Sequence, residues 1–492
     1  MGRGGGGGRG GCSSGDMDEP LTPAGRFFLQ PEMQQVINCA IGFQNPIDVP
    51  AVKDEITRTL LRYHPRMSCL LVRDKKGREH WRPAPEVDLD KHIILVPEEE
   101  DEEEETNGGG GDGVGEGEGE NERYVNDYVA ALTVSTPMCT EKPLWEVHVL
   151  PPRRRSCVLR LHHALGDGVS LMSLFLACCE RADDPARPVT IPGAGGGAGR
   201  GTRTHPVTGL RPAGVAWRAL LVAWYTLLYV VDMLMHSLGS KDDKNPITGG
   251  PGVELWPRRM VTTSFSLDDL KAVKRAAKAT INDVLVGIVS YGLARYFELK
   301  SPKGRSKDLR VTGLAMVNTR QSPGLQEISS MMAKGSKSRW GNQFGFILLP
   351  IYLKKNFCDP LEYVTRAKSM LDRKKLSLEA HFSYAGGALI MSLLGPKVAT
   401  LLNYRIISNT SFTLSNVVGP SEVIMFAKNP MTYFRATTNS LPHAVTIHMI
   451  SYNGKADMQL LVAKDIIHDP EVLAKCFQEA LKEMKLSAIT TT

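Results

Sequence analysis

The chain has 492 residues, 42% of them hydrophobic, which predicts two or three domains with ample cores. Its nine cysteines are odd in number, scattered and never arranged as CxxC, which argues against a disulfide framework and for free thiols in a reducing compartment. The net charge of +6 hides an asymmetry: residues 98–122 hold thirteen acids and no Lys or Arg, so removing them leaves +19, a basic body suited to anionic lipid or a phosphorylated small molecule; with 7% aromatics and no recognisable nucleic-acid motif, nucleic acid is excluded as a partner.

Residues 1–20 read as a flexible Gly-rich tail with no apolar segment of the secretory type and a poor match to a myristoylation site. A first domain is expected over 21–188. Within it, Asp48 and Pro50 open a helix carrying Val52, Ile56 and Leu60 at helical spacing, and Met67 to Val72 reads as a strand. The acidic, Gly-rich segment 98–122 is expected to be a disordered insertion, after which Tyr124 to Leu132 resumes as helix. Pro143-Leu144 leads into Trp145 to Leu150, which alternates like a half-buried strand.

The apolar run Cys157 to Leu161 then meets His162-His163-Ala164-Leu165-Gly166-Asp167-Gly168, and Val169 to Phe175 follows as an apolar helix. A strand, a tight turn and a helix can hold one imidazole at the mouth of a cleft, where it can take and return a proton near neutral pH. His163 is the candidate base, His162 an orienting neighbour, and Asp167 and Gly168 shape the turn. The same residues also describe an ordinary polar turn, and on spacing alone both readings stand. A metal site is not expected, because no Cys, Asp or Glu falls at ligand spacing around the pair.

Residues 189–254 read as a linker holding a very apolar helix at 213–238. Its uncharged stretch, Ala219 to Val231, is 13 residues, against about 20 for a membrane span. Three readings remain: a helix at a membrane interface, favoured by Trp217, Trp224, Tyr225 and Tyr229; a true span; and a packed inter-domain helix. A second domain is expected over 255–486. Ser266 and Thr280 start helices, Val311–Val317, Phe344–Leu353 and Phe412–Val418 read as strands, Asn453-Gly454 turns a hairpin, and Asp469-Pro470 opens a closing helix. Asp283 has the spacing of a capping partner for Thr280, which leaves Asn282 free to face a cleft. Ser415-Asn416 to Gly419-Pro420 ends a strand in a turn.

His162 to Gly168 resemble the HHxxxDG motif of coenzyme A-dependent acyltransferases. Together with Pro143-Leu144-Trp145, Asn282-Asp283 and Ser415 to Pro420, the set resembles the plant wax ester synthase/diacylglycerol acyltransferase family, over roughly residues 20–486. The DFGWG signature of the BAHD branch is absent. The resemblance implies an α/β (α+β) fold: two chloramphenicol-acetyltransferase-like domains side by side, with a tunnel between them. It implies that His163 is the general base, that Asp167 is structural and pairs with an arginine from another strand (Arg320 is the candidate), and that Asn282, Asp283, Asn416, Pro143, Leu144 and Trp145 stand on the substrate side. It implies long-chain acyl-CoA as a substrate with no further cofactor, a fatty alcohol or diacylglycerol as acceptor, and work at a membrane surface, on the cytosolic face of the endoplasmic reticulum or at the plasma membrane. Two other readings stay open: a soluble acyltransferase for a polar acceptor, and a non-catalytic acyl-lipid-binding relative.

Overall fold

The computed structural model describes residues 18–98, 114–135, 137–190, 212–301, 308–321, 324–333, 336, 339–353, 359–439 and 441–490. Two mixed sheets with helices packed on them make up the body. The first has seven strands in the order Ile93–Leu95, Trp145–Val149, Ser156–His162, Val36–Phe43, Asn429–Thr438, Ile424–Phe426 and Glu180–Arg181. The second has six, in the order Phe344–Leu353, Leu309–Asn318, Phe412–Val418, Val445–Tyr452, Lys455–Ala463 and Arg258–Ser266. A small three-stranded sheet, Glu19–Pro20, Glu79–Pro83 and Cys69–Arg73, flanks the first.

The division at 188/255 does not follow the sheets. The hairpin Ile424–Thr438, from the second half of the chain, enters the first sheet. Phe434 pairs with Ile41 and Thr438 with Ile37, while Ile424 pairs with Arg181. Every residue of Val36–Phe43 is buried. Left to the first half alone, that strand would be an unpaired apolar edge, and the hairpin completes its hydrogen-bond ladder. The two halves are therefore locked by backbone pairing as well as by side chains.

Other expectations shift at their ends. Residues 18–20 do not belong to the tail: Glu19–Pro20 pairs with Glu79–Pro83, and Asp18 bonds Arg82 at 2.7 Å. The helix expected from Tyr124 starts at Val114 and runs to Ser135, so 114–122 are helical. Two of its acids are anchored, Glu120 to Arg154 at 3.0 Å and Glu122 to Arg435 at 2.7 Å. Residues 99–113 of the acidic insertion, like residues 1–17 and 191–211 of the expected tail and linker, lie outside the described residues. Leu60 falls in a separate short helix after Val49–Arg58. Met67 precedes its strand, in the single turn Pro65–Ser68. The turn at Asn453-Gly454 has φ of 45° and 77°, the left-handed pair that a two-residue hairpin requires.

The apolar segment forms the helix Pro212–Leu238. Beside it lies a second long apolar helix, Glu379–Ser408, broken at Gly395 (φ 81°) before Pro396. Both are attached to the second sheet's side of the molecule. Lys374 and Glu379, each almost fully buried, pair at 2.8 Å. Glu379 also accepts from the Leu348 N–H at 3.0 Å, and the Lys374 ammonium sits 3.5 Å over the Tyr229 ring. This one cluster joins a sheet strand to both apolar helices. Asp232 is turned to Arg310 at 3.1 Å, and the Asn409 amide donates to the His236 carbonyl at 2.7 Å.

Replacing Glu379 with Ala leaves Lys374 charged and unpaired in the interior, and is expected to destabilise the fold by about 3–5 kcal/mol; Lys374→Met with Glu379→Leu is expected to recover most of this. Denaturant midpoints of the parent and both variants check the pair, and a Glu379→Ala midpoint equal to the parent's contradicts it.

Candidate active site

The motif strand Ser156–His162 ends at the face where the two sheets meet. Its last backbone groups are held from both sides: the His162 N–H donates to Leu144 O at 3.0 Å and the His163 N–H to Gln35 O at 2.9 Å. The motif helix Gly168–Ala177 begins at once, with the Asp167 carboxylate accepting from the Ser170 N–H at 2.9 Å as its cap. The turn between is crowded. A Cβ on Gly166 would lie 3.1 Å from Ser170 Cβ and 3.4 Å from Trp340, so glycine keeps the chain close.

Four consecutive residues from the second half, Trp340 to Gln343, strap this turn. Trp340 Nε1 donates to Leu165 O at 2.8 Å, and the Gly341 N–H to Ser170 Oγ at 3.2 Å. Asn342 Nδ2 donates to His163 O at 2.9 Å, and the Gln343 N–H to Asp167 Oδ2 at 2.9 Å. Arg320 completes the clasp. Its guanidinium meets Asp167 at 2.7 Å, Gly341 O at 2.6 Å and Ser170 Oγ at 2.9 Å. The side chains of both Arg320 and Asp167 are buried.

The tautomer of His163 follows from these contacts. Because Asn342 Nδ2 is committed to His163 O, its Oδ1 faces His163 Nδ1, 3.0 Å away, and can only accept. Nδ1 therefore carries the hydrogen and Nε2 keeps its lone pair. Phe28 stacks on the ring with centroids 4.1 Å apart, fixing its plane. Burial pulls the His163 pKa below its ordinary value; the Asp167 charge and the Asn342 acceptor oppose that pull. His162 differs. It is 2% exposed, its Nδ1 accepts from the Ala164 N–H at 3.1 Å, and burial pushes its pKa down to about 3. It is a neutral part of the turn and does not line the cavity.

That cavity, about 260 Å³, lies between the two halves and is mostly apolar. His163, Asp167, Gly168 and Asn416 line it. Asn416 Nδ2 donates to Asn282 Oδ1 at 2.8 Å, so Asn282 stands behind the wall and orients it. Three expected substrate contacts lie elsewhere. Pro143, Leu144 and Trp145 are not on the cavity: Trp145 is fully buried, stacks on His92 at 4.0 Å and donates to Met67 O at 2.8 Å, while the Leu144 carbonyl braces His162. Asp283 is likewise a cap. Its Oδ2 accepts from the Thr280 N–H at 2.7 Å and its N–H meets Thr280 Oγ1 at 3.2 Å, closing a capping box.

Residues absent from the sequence reading also stand here. Asn342 and Phe28 hold the imidazole, and His448 and Gln35 line the cavity. Burial, with the neighbouring His163, pushes the His448 pKa down to about 4, leaving that ring neutral. Only Asn342 carried any local signal, as a polar residue in Trp340-Gly341-Asn342-Gln343 just before a strand.

Residues 121–285 match the family model for the wax ester synthase/diacylglycerol acyltransferase catalytic domain, and residues 340–485 match the model for the WS/DGAT C-terminal domain. Among curated proteins, wax ester synthase/diacylglycerol acyltransferase 11 of Arabidopsis thaliana is 35% identical, covering 96% of each chain. Wax ester synthase/diacylglycerol acyltransferase 4 of the same plant is 34% identical, covering 96% of this chain and 91% of its own. Among solved structures, the wax ester synthase/diacylglycerol acyltransferase from Marinobacter aquaeolei VT8 superposes with a TM-score of 0.56 at 16% identity, over 95% of this chain and 99% of that one. The first condensation domain of the calcium-dependent antibiotic synthetase follows at 0.52 and 15%, over 97% of each chain. These two likenesses establish the two-domain fold, and the near-full-length identity to the plant proteins establishes kinship: the chain belongs to the wax ester synthase/diacylglycerol acyltransferase family.

Proposed function

We propose that the chain is an acyl-CoA-dependent O-acyltransferase that moves a long-chain acyl group to a long-chain alcohol, to diacylglycerol, or to both. One observation carries the chemistry: a histidine whose Nδ1 is hydrogen-bonded and whose Nε2 has no hydrogen-bond partner among the described residues, lining an apolar cavity between two lobes. Nε2 takes the hydroxyl proton as the alcohol oxygen attacks the thioester carbonyl carbon. The C–S bond then breaks, and the departing thiolate receives the same proton from Nε2. The oxygen that becomes anionic in between needs a donor; Asn416, lining the cavity and oriented by Asn282, is the proposed one. Asp167 does not touch substrate chemistry in this scheme. It holds the turn and, through its charge, the basicity of His163.

The apolar lining supports greasy substrates over a polar acceptor. The two apolar helices and the basic body support work at a membrane surface, and we place the enzyme on the cytosolic face of the endoplasmic reticulum or at the plasma membrane. Asp232 bonded to Arg310, and Tyr229 beneath Lys374, tie the C-terminal half of Pro212–Leu238 to the body, which favours a helix lying at the interface over a span.

His163→Ala is expected to lower kcat/KM for palmitoyl-CoA and hexadecanol by about 10²–10⁴-fold with the fold intact. Near-normal turnover of the purified variant refutes the assignment. Asp167→Asn gives two readouts. Arg320 loses its counter-charge in a dry site, an expected destabilisation of about 3–5 kcal/mol visible in thermal unfolding. The neutral imidazole is the active base, and the Asp167 charge raises its pKa against burial. Removing that charge lowers the pKa, so the acid limb of kcat/KM against pH moves to lower pH; a limb that stays or moves up contradicts the role.

A further inference from the structure

Pro212–Leu238 and Glu379–Ser408 pack on each other, and both are strongly apolar, the second with a kink at Gly395. Within the molecule only 11% and 17% of their most apolar windows are buried. The first exposes Trp217, Leu220, Trp224 and Leu227; the second exposes Phe382, Leu389 and Leu393, which recur at helical spacing along one face. Asp232, towards the C-terminal end of the first helix, is drawn to Arg310. An apolar face of this extent marks a surface built to be covered.

The opposite face of the second helix is not solid. Tyr384, Gly387, Ala388 and Met391, offset by one helical face from Phe382, Leu389 and Leu393, line a cavity of about 90 Å³ against the helix Pro23–Phe27. Its inner wall is Phe27, Phe28, Phe344, Phe346 and Asn403, and these same five residues line the catalytic cavity from the other side. Phe28 is also the ring stacked on His163. One helix thus presents its outer face to the surroundings and its inner face to a chamber separated from the base by a few aromatic side chains, which change rotamer more readily than backbone moves.

Resting on the acyltransferase reading above, we propose that the exposed face of the two helices is seated in a lipid bilayer and that the water-insoluble acceptor reaches His163 from it, between the second helix and Phe27–Phe28. Charge and continuity favour a bilayer over a protein partner. Arg218, Lys397 and Arg405 accompany the apolar stripe, as anionic headgroups require, and a dry route inward is of use to a lipid and to no docked protein. Such a route spares a long alkyl chain the transfer through water that each of its methylenes opposes.

The test uses the full chain, palmitoyl-CoA as donor, and two acceptors: hexadecanol in phosphatidylcholine/phosphatidylserine vesicles, and water-soluble butanol. Ala388→Trp fills the outer chamber without touching His163. It is expected to lose at least about tenfold in kcat/KM for vesicle hexadecanol and to keep butanol transfer near that of the parent. Leu389→Glu with Leu393→Glu, on the outer face, is expected to abolish vesicle flotation and lower hexadecanol transfer while sparing butanol. Unchanged hexadecanol transfer in Ala388→Trp overturns the portal, as does an equal loss on both acceptors. Flotation that survives the double glutamate variant, with loss of a dimer instead, overturns the bilayer in favour of a second copy. A parent chain that acylates neither acceptor refutes the underlying activity, a different outcome from any of these.

Discussion

The Asp167–Arg320 contact is the constraint on which the site depends. It joins the cap of the motif helix, in the first half, to the turn just after the second-half strand Leu309–Asn318, 2.7 Å apart and shielded from water. An ion pair in such a place adds little net stability, because desolvating both charges offsets most of their attraction. Its value is positional. The carboxylate also accepts from Ser170 and Gln343, and the guanidinium also donates to Gly341 and Arg339. Few arrangements of the two halves satisfy every one of these bonds, and the one that does delivers Asn342 to His163.

Backbone and side chains enforce the same alignment. The hairpin Ile424–Thr438 gives the first sheet strands that the first half lacks. The cavity wall opposite the motif strand comes from Phe344, Ser415, Asn416 and His448, all on second-half strands. A base, a proton-holding amide and an oriented Asn416–Asn282 pair thus depend on one interface. A chain cut between the halves would leave an apolar edge on one fragment and an orphaned carboxylate on it as well.

Strong local patterns were legible in the sequence. Phe344–Leu353 and Phe412–Val418 run as strands between the expected residues, Ser266 and Thr280 cap helices, and Asn453-Gly454 turns its hairpin. Each depends on near neighbours, which a linear reading sees. The helix Glu379–Ser408 was not legible: Gly386-Gly387 is a breaker pair that packing on Pro212–Leu238 and on the sheet overrides, while Gly395-Pro396 does interrupt the helix. The strand Asn429–Thr438 was hidden for the same reason, since its partner Val36–Phe43 lies nearly 400 residues away in the chain.

The site divides along this line. The order of residues determined a base on a strand-to-helix turn, an aspartate that caps the helix, and the pairing of Thr280 with Asp283, because these bonds span four residues or fewer. Tertiary structure alone decided that Pro143-Leu144-Trp145 brace the core instead of the substrate, that Asn416 faces the cavity with Asn282 behind it, and that Asn342 and Phe28 fix the imidazole. Those contacts arise only when distant segments are brought within about 3–4 Å by burial of the surfaces between them, and periodicity along one strand or helix carries no record of what will be packed across from it.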